Sequence, residues 1–149
     1  MDIQYFGNKE LLKLDNTAFL ASSTIPPEMV LKCYDWAAGE HNGCVISGFS
    51  SKLEKDVLHF LLKTTCPVIV VLARKMYKVM PDVFQELLKD NRLLIISISN
   101  SPRQSKATAY ARNRYVCEIA DKIIFVVATE KSTLFELKEE FHLKEISFT

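Results

Sequence analysis

The chain has 149 residues, a length typical of one ordinary domain, so we expect a single domain over residues 1–149. Apolar residues make up 48% and charged residues 25%, a mixture that excludes a disordered tail, a collagen-like chain and a small disulfide-stabilised scaffold. Nineteen basic and eighteen acidic residues leave a net charge of +1, which favours no class of partner. With no secretory signal pattern and no apolar run near the roughly 18 residues of a membrane span, we expect a cytoplasmic protein without a membrane partner.

Five short apolar runs rich in Val, Ile, Leu and Phe predict buried strands. They are Thr17–Ala21, Cys44–Ile46, Val68–Ala73, Leu93–Ile98 and Ile123–Ala128. Because these runs are apolar at consecutive positions, both faces of the sheet are expected to be covered. A short final strand at Ile146–Phe148 is a further option.

The segments between these runs carry apolar residues three and four positions apart, which predicts amphipathic helices. Their apolar positions are Met29, Val30, Cys33 and Ala37; Leu53, Val57, Leu58 and Leu61; Val83, Phe84, Leu87 and Leu88; Ala109, Val116, Cys117 and Ala120; and Leu134, Leu137 and Phe141. Start and stop signals agree, with Pro26 and Pro81 at helix starts, Gly39 at a helix end, and capping-box spacing at Ser51–Glu54 and Thr133–Glu136.

This alternation predicts an α/β fold, a Rossmann-like three-layer α/β/α sandwich with a mostly parallel sheet of five or six strands. We also expect the first and fourth predicted strands to be neighbours, as in the Rossmann strand order. That order would place Ser22 and Ser23 beside the loop of residues 100–103.

Small hydroxylated residues follow four of the predicted strands, in segments 22–26, 47–51, 99–103 and 129–133. In an open parallel sheet, ligands bind beyond the carboxyl ends of the strands, where strand order reverses. Hydroxyl and backbone N–H groups there can bind phosphate, but they also cap the helix that follows, and the pattern alone favours capping. The glycine-rich phosphate motifs of dinucleotide and nucleoside-triphosphate enzymes do not occur in the sequence.

Basic residues cluster in two segments that contain no acid. The first lies between Asp90 and Glu118, and the second spans residues 57–81. Together these segments contain Lys63, Arg74, Lys75, Lys78, Arg92, Arg103, Lys106, Arg112 and Arg114. Because some of these residues directly follow the third and fourth predicted strands, we expect a basic rim at the strand exits that binds an anion.

The Arg112-Asn113-Arg114 segment lies within the helix before the fifth predicted strand. Asn113 shares its helical face with Ala109 and Val116, so we expect a buried amide flanked by two solvent-accessible arginines. A purely structural Asn113 with two ordinary surface arginines remains the alternative.

No metal, cofactor or catalytic group is indicated by the sequence. The four cysteines are widely spaced without a Cys-x-x-Cys pair, which favours reduced thiols in the core over zinc or redox chemistry. The sequence also lacks a nucleophile elbow and a His-Glu-x-x-His pair. We therefore expect no cofactor and assign no catalytic residue.

Three motifs, in order and spacing, carry a resemblance to a known family. They are the aromatic-Gly-Asn segment Tyr5–Leu12, the Ser-Gly turn Ser47–Phe49, and the Arg-Asn-Arg helix followed by Ala120-Asp121. Together they resemble the Rossmann-like domain of the bacterial DNA-processing protein A family (DprA, or Smf), within the SLOG superfamily. The resemblance runs almost end to end, and a shorter single-domain branch is closer still, through segments 47–55 and 72–74.

The chain also departs from the family pattern at several positions. The exit of the first predicted strand reads Ala21-Ser22-Ser23 where the family carries a phosphate-binding arginine, and segment 50–54 lacks another family arginine and glycine. Thr133 and Glu136 fall on the Thr-x-x-Glu of the phosphoribohydrolases in the same superfamily, but the adjoining glycines are replaced. The resemblance leaves enzymatic activity open, and these replacements argue against it.

The resemblance implies a module that binds single-stranded DNA through its backbone along the basic rim, with Phe49 offering a base-stacking surface. The alternative is the binding, sensing or hydrolysis of a nucleotide or phosphoribosyl compound at the same edge, and a scaffold for protein contacts is a third option. A homodimer is left open. The expected ligand-binding residues are Ser22, Ser23, Ser47, Gly48, Phe49, Ser50, Arg74, Arg103, Lys106, Arg112, Asn113, Arg114, Ser132 and Thr133.

Overall fold

A computed structural model describes residues 3–148 of the chain. Strands and helices alternate along the sequence, as the hydrophobic periodicity predicts. The elements are β1 (Gln4–Gly7), β2 (Asn16–Ala21), α1 (Pro27–Ala38), β3 (Cys44–Ser47), α2 (Lys52–Leu62), β4 (Val68–Leu72), α3 (Asp82–Lys89), β5 (Leu93–Ser97), α4 (Lys106–Ile119), β6 (Lys122–Val126) and α5 (Thr133–Glu140), with 3-10 helices at Lys9–Lys13 and His142–Lys144.

The strands form one six-stranded sheet in the order β1-β5-β4-β3-β2-β6. Strands β2 to β6, which are the five predicted strands, pair in parallel, and β1 pairs with β5 antiparallel. One apolar cluster, which includes Phe19, Val57 and Leu87, lies on the face covered by α1, α2 and α3. A second cluster, which includes Leu20 and Val116, lies on the face covered by α4 and α5. The predicted three-layer α/β/α sandwich is confirmed.

The prediction that the first and fourth predicted strands are adjacent in the sheet is wrong. These strands are β2 and β5, and β3 and β4 lie between them. Helices α1, α2 and α3 all cover the same face, so each right-handed crossover adds the next strand on the same side of the last. The connection from β5 to β6 runs through α4 on the opposite face and places β6 on the free side of β2. The strand order therefore reverses at β2, between β3 and β6.

The predicted strand at Ile146–Phe148 is also wrong. Glu145 makes only an isolated bridge with Ile123, and the Ile146 N–H donates to the Ile123 carbonyl over 2.9 Å. The segment that follows turns its aromatic side chain onto α1, where the rings of Trp36 and Phe148 lie 5.9 Å apart. It therefore covers the outer edge of β6 without extending the sheet.

Helix boundaries follow most of the predicted signals. Pro26 precedes α1, Gly39 ends it, and Ser51 and Glu54 form the predicted capping box of α2. The capping box predicted at Thr133–Glu136 is wrong. The N-cap residue of α5 is Ser132, one residue before Thr133, and Ser132 Oγ accepts from the Leu134 N–H. Within residues 3–148, no helix is long and apolar enough to cross a membrane.

Candidate functional site

A cleft opens at the carboxyl ends of β2 and β6, where the strand order reverses and ligands bind in open α/β sheets. The Ser22 N–H donates to the Val126 carbonyl over 2.9 Å, which joins the two strand exits. The hydroxyl groups of Ser22 and Ser132 are hydrogen-bonded, with an Oγ–Oγ distance of 2.8 Å. The hydroxylated segments after β2 and β6 therefore meet, rather than those after β2 and β5.

The cleft has a volume of about 240 Å³ and combines predicted with unpredicted residues. Its lining residues are Ala21, Ser22, Ser23, Ser50, Ser51, Glu54, Gln104, Ala109, Arg112, Asn113, Ser132, Thr133 and Leu134. A wider neighbouring cleft of about 620 Å³ lies between segments 22–27 and 128–133 and shares the residues at the exits of β2 and β6. Half of the residues that were expected to bind ligand thus line the smaller cleft.

Glu54 lies at the floor of this cleft and is only 3% exposed. Its Oε1 accepts from the backbone N–H groups of Ser50 (2.9 Å) and Ser51 (3.2 Å). Its Oε2 accepts from the backbone N–H of Ala21 over 2.9 Å, so the carboxylate joins the exit of β2 to the start of α2. Sequence reasoning identified Glu54 as half of a capping box and did not predict its contact with Ala21.

Arg112 is the buried member of the Arg-Asn-Arg segment, at 3% exposure, and Asn113 is half-buried. The expectation of a buried Asn113 between two accessible arginines is therefore wrong. Arg112 Nε donates to Asn113 Oδ1 over 2.8 Å, and Nη1 donates to the Val71 carbonyl over 3.4 Å. Burial lowers the pKa of Arg112, and the negative charge of Glu54 opposes that shift.

Gly48 leaves the space that the Arg112 guanidinium occupies. A Cβ atom at Gly48 would lie 2.3 Å from Arg112 Cζ. The adjoining Ser47 is fully buried, and its Oγ accepts from the Phe49 N–H over 3.1 Å. Phe49 has a φ of 48° and packs in the core at 6% exposure, so the expectation that it offers a base-stacking surface is wrong.

The loops that follow β4 and β5 lie beside each other. The Lys75 N–H donates to the Ser101 carbonyl over 2.8 Å, and Ser97 Oγ donates to the Arg74 carbonyl over 2.7 Å. Gln104, at the end of the second loop, reaches the cleft and donates to Ser50 Oγ over 2.9 Å.

Four basic residues on these two loops and at the start of α4 form a set that we call the outer rim: Arg74, Lys75, Arg103 and Lys106.

Arg114 lies outside both the cleft lining and the outer rim. Its guanidinium forms a bidentate ion pair with Glu140 of α5, with Nη1 and Oε1 2.8 Å apart. This hydrogen bond raises the pKa of Arg114 and lowers the pKa of Glu140. Arg114, which was expected to bind ligand, is therefore paired with Glu140 in an ion pair that joins α4 to α5.

The cysteines are buried and free, as expected. Burial raises the pKa of the Cys33 and Cys66 thiols to about 11 and that of the Cys117 thiol to about 12. Within residues 3–148, no group of three or more His, Cys, Asp or Glu side chains is arranged to hold a metal ion. The polar chemistry of the cleft thus comes from hydroxyl groups, one carboxylate, one guanidinium and backbone N–H groups.

Two solved structures share this fold over almost the whole chain. DNA processing protein A (DprA) from Streptococcus pneumoniae matches with a TM-score of 0.78 and 19% identity, over 97% of this chain and 54% of its own. DNA processing protein A from Helicobacter pylori, described in terms of its single-stranded DNA binding mode, matches with a TM-score of 0.76 and 19% identity, over 97% of this chain and 70% of its own. The chain thus spans about half the length of the Streptococcus protein.

Sequence comparison identifies the family. No significant match was found among curated protein sequences. The family model for DNA recombination-mediator protein A matches residues 3–137, which is most of the chain and includes all six strands and the cleft. This match agrees with the resemblance carried by the aromatic-Gly-Asn, Ser-Gly and Arg-Asn-Arg motifs. The chain therefore belongs to the DNA recombination-mediator protein A family.

Proposed function

We propose that this chain binds single-stranded DNA through phosphate contacts along the outer rim. The observation that carries the proposal is the placement of Arg74, Lys75, Arg103 and Lys106 on adjoining segments at one sheet edge, in a chain of this family. The H. pylori relative, whose structure is described by its single-stranded DNA binding, supports the choice of ligand. Two of the four are exposed and two are half-buried, and clustered cations of this kind are the electrostatic footprint of a protein that binds a nucleic-acid backbone.

The geometry of Arg74 favours a role in binding. Its Nε donates to the Lys75 carbonyl over 3.0 Å, and its guanidinium lies 4.9 Å from the centre of the Tyr77 ring. These two contacts hold the guanidinium in place, so less side-chain entropy is lost when a phosphate binds. Arg103 and Lys106 are exposed, and segments 74–81 and 99–117 contain no acid to compete with DNA.

A nucleotide or phosphoribosyl compound is the second candidate ligand. The neighbouring cleft of about 620 Å³ favours it, because that volume lies within the range of about 300–1,000 Å³ typical of small-molecule sites. Hydroxyl groups of Ser22, Ser132 and Thr133 line this cleft. A thermal-shift screen tests the candidate, since a nucleotide at about 100 times its Kd stabilises the fold by about 2.7 kcal/mol. If no nucleotide raises the Tm, this candidate is rejected.

Titration of a fluorescent single-stranded oligonucleotide at several salt concentrations tests DNA binding. The double variant R103Q/K106Q removes two rim charges from exposed positions. Each phosphate contact on a single strand contributes about 0.7 to the slope of log affinity against log salt, so the variant should lower the slope by about 1.4.

The matched control is K63Q/K89Q, which removes two charges at the C-terminal ends of α2 and α3. These helix ends lie beside the amino ends of the strands, whereas the outer rim lies at the carboxyl ends. The control is therefore expected to keep the DNA affinity and the salt slope of the wild type. Binding that is absent even at low salt, or that responds equally to both double variants, would contradict the proposal.

A further inference from the structure

Three backbone N–H groups from two separate segments converge on the Glu54 carboxylate. Those of Ser50 and Ser51 lie at the start of α2, and that of Ala21 ends β2. A capping box accounts for the contacts within the helix start. It does not account for the Ala21 contact, which spans 33 residues of sequence and joins the end of β2 to the first turn of α2.

Converging N–H groups at the start of a helix are the groups that bind a phosphate oxygen in many α/β proteins. Helix α2 has 11 residues, enough for a full set of aligned peptide dipoles. A second feature favours an anion at the same place: the Arg112 guanidinium lines the same cleft as Glu54 at 3% exposure, and the negative charge of Glu54 acts on it. The N–H groups and the guanidinium together resemble a phosphate site whose position is already taken.

We propose that Glu54 acts as an internal substitute for phosphate and thereby excludes phosphate groups from this part of the cleft. Its carboxylate occupies the three donors, and its negative charge repels an incoming dianion at short range. Glu54 therefore determines which ligands the cleft rejects, and phosphate groups of any ligand bind outside it, on the outer rim or on the α5 side. The exclusion does not depend on whether the chain binds DNA.

Titration with inorganic phosphate at constant ionic strength tests the proposal, followed by calorimetry and by amide NMR signals. The wild-type protein should leave the signals of Ala21, Ser50 and Ser51 unchanged. The E54A variant frees the three donors and removes the negative charge near Arg112, so it should bind phosphate at least about tenfold more tightly than wild type. The matched control is E136A, which removes an exposed acid from the first turn of α5 without touching these donors, and wild-type behaviour is expected.

Loss of Glu54 also removes three hydrogen bonds, so E54A is refolded both in phosphate and in chloride. Recovery of the fold at a phosphate concentration that does not stabilise the E136A control supports the proposal, because phosphate then replaces the carboxylate and does not act as a general stabilising salt. A variant that stays unfolded even in phosphate overturns it, as does a folded E54A that binds phosphate no more tightly than wild type. Phosphate-dependent shifts of the Ala21 and Ser51 signals in the wild-type protein also overturn it.

Discussion

At the scale of single residues, the contact between Gly48 and Arg112 sets the shape of the cleft floor. The guanidinium fills the space where a Gly48 side chain would stand, and hydrogen bonds to Val71 and Asn113 hold it there. An exposed arginine would swing away from an added methyl group at little cost. Arg112 is buried, so its displacement breaks these contacts and disturbs packed neighbours.

The G48A variant should therefore lower the free energy of unfolding by about 1–3 kcal/mol, the usual cost of overpacking a tight interior site. Urea denaturation followed by circular dichroism measures the change. The control is G39A, because a Cβ at Gly39 comes no closer than 3.4 Å to its neighbours, and its stability should stay within about 0.5 kcal/mol of wild type. A G48A protein as stable as G39A would show that the Arg112 side chain relocates freely.

The burial of Arg112 shows why the sequence located the site segment but not its geometry. Position 112 lies three residues after Ala109 and four before Val116, so it shares the inward face as well as Asn113 does. Residue type favoured the amide, since arginines are rarely fully buried. The deciding factor is Gly48, which follows β3, because its missing side chain leaves the space that the Arg112 guanidinium fills. No pattern within the α4 sequence predicts that Gly48 lies beside Arg112.

At the scale of elements, the C-terminal end of α4 is completed by a residue beyond α5. Lys144 Nζ donates to the carbonyl groups of Cys117 and Glu118, at 2.9 Å each. The last carbonyl groups of a helix lack partners within the helix and carry its negative dipole end, so an ammonium group there is favourable. This contact also fixes the 3-10 helix at His142–Lys144 against the rest of the fold.

The K144M variant should lower the free energy of unfolding by about 1–2 kcal/mol, because two charge-assisted hydrogen bonds are lost while the apolar stem is kept. Chemical denaturation measures the loss. K55M is the matched control: Lys55 is exposed on α2, and its side chain makes no hydrogen bond or ion pair within the part of the chain that the structure describes. Equal stability of the two variants would remove this role of Lys144.

Elements with a strong apolar period were predictable, and those without one were not. The helices and the strands β2 to β6 each carry a buried stripe or run that the sequence displays directly. Strand β1 was missed because its four residues are all exposed and form no apolar run. The segment 146–148 was assigned to a strand on its apolar residues, but these pack on α1 and at the edge of β6 instead.

At the scale of the whole molecule, strand order decides which loops form the site. The order depends on which face each helix covers, and amphipathic periodicity gives the width of an apolar stripe but not the face that it covers. The hydroxylated exits were therefore predictable as a set, whereas the pairing of β2 with β6 was not. That pairing brings Ser22 to Ser132 and leaves the basic loops after β4 and β5 further along the same edge.

The two edges of the sheet should differ in hydrogen exchange. The outer edge of β6 is bridged by Glu145 and Ile146, whereas every residue of β1 is exposed and β1 pairs with β5 alone within residues 3–148. Amides in β1 should therefore open locally and exchange at least about tenfold faster than those of the central strands β3 and β4, with β6 between them. Deuterium exchange with mass spectrometry of peptides covering residues 3–8, 44–47, 68–72 and 122–126 measures the order, and exchange in denaturant supplies the intrinsic rates. Equal protection of β1 and β4 would contradict this order and would indicate that another chain pairs with the outer edge of β1 in solution.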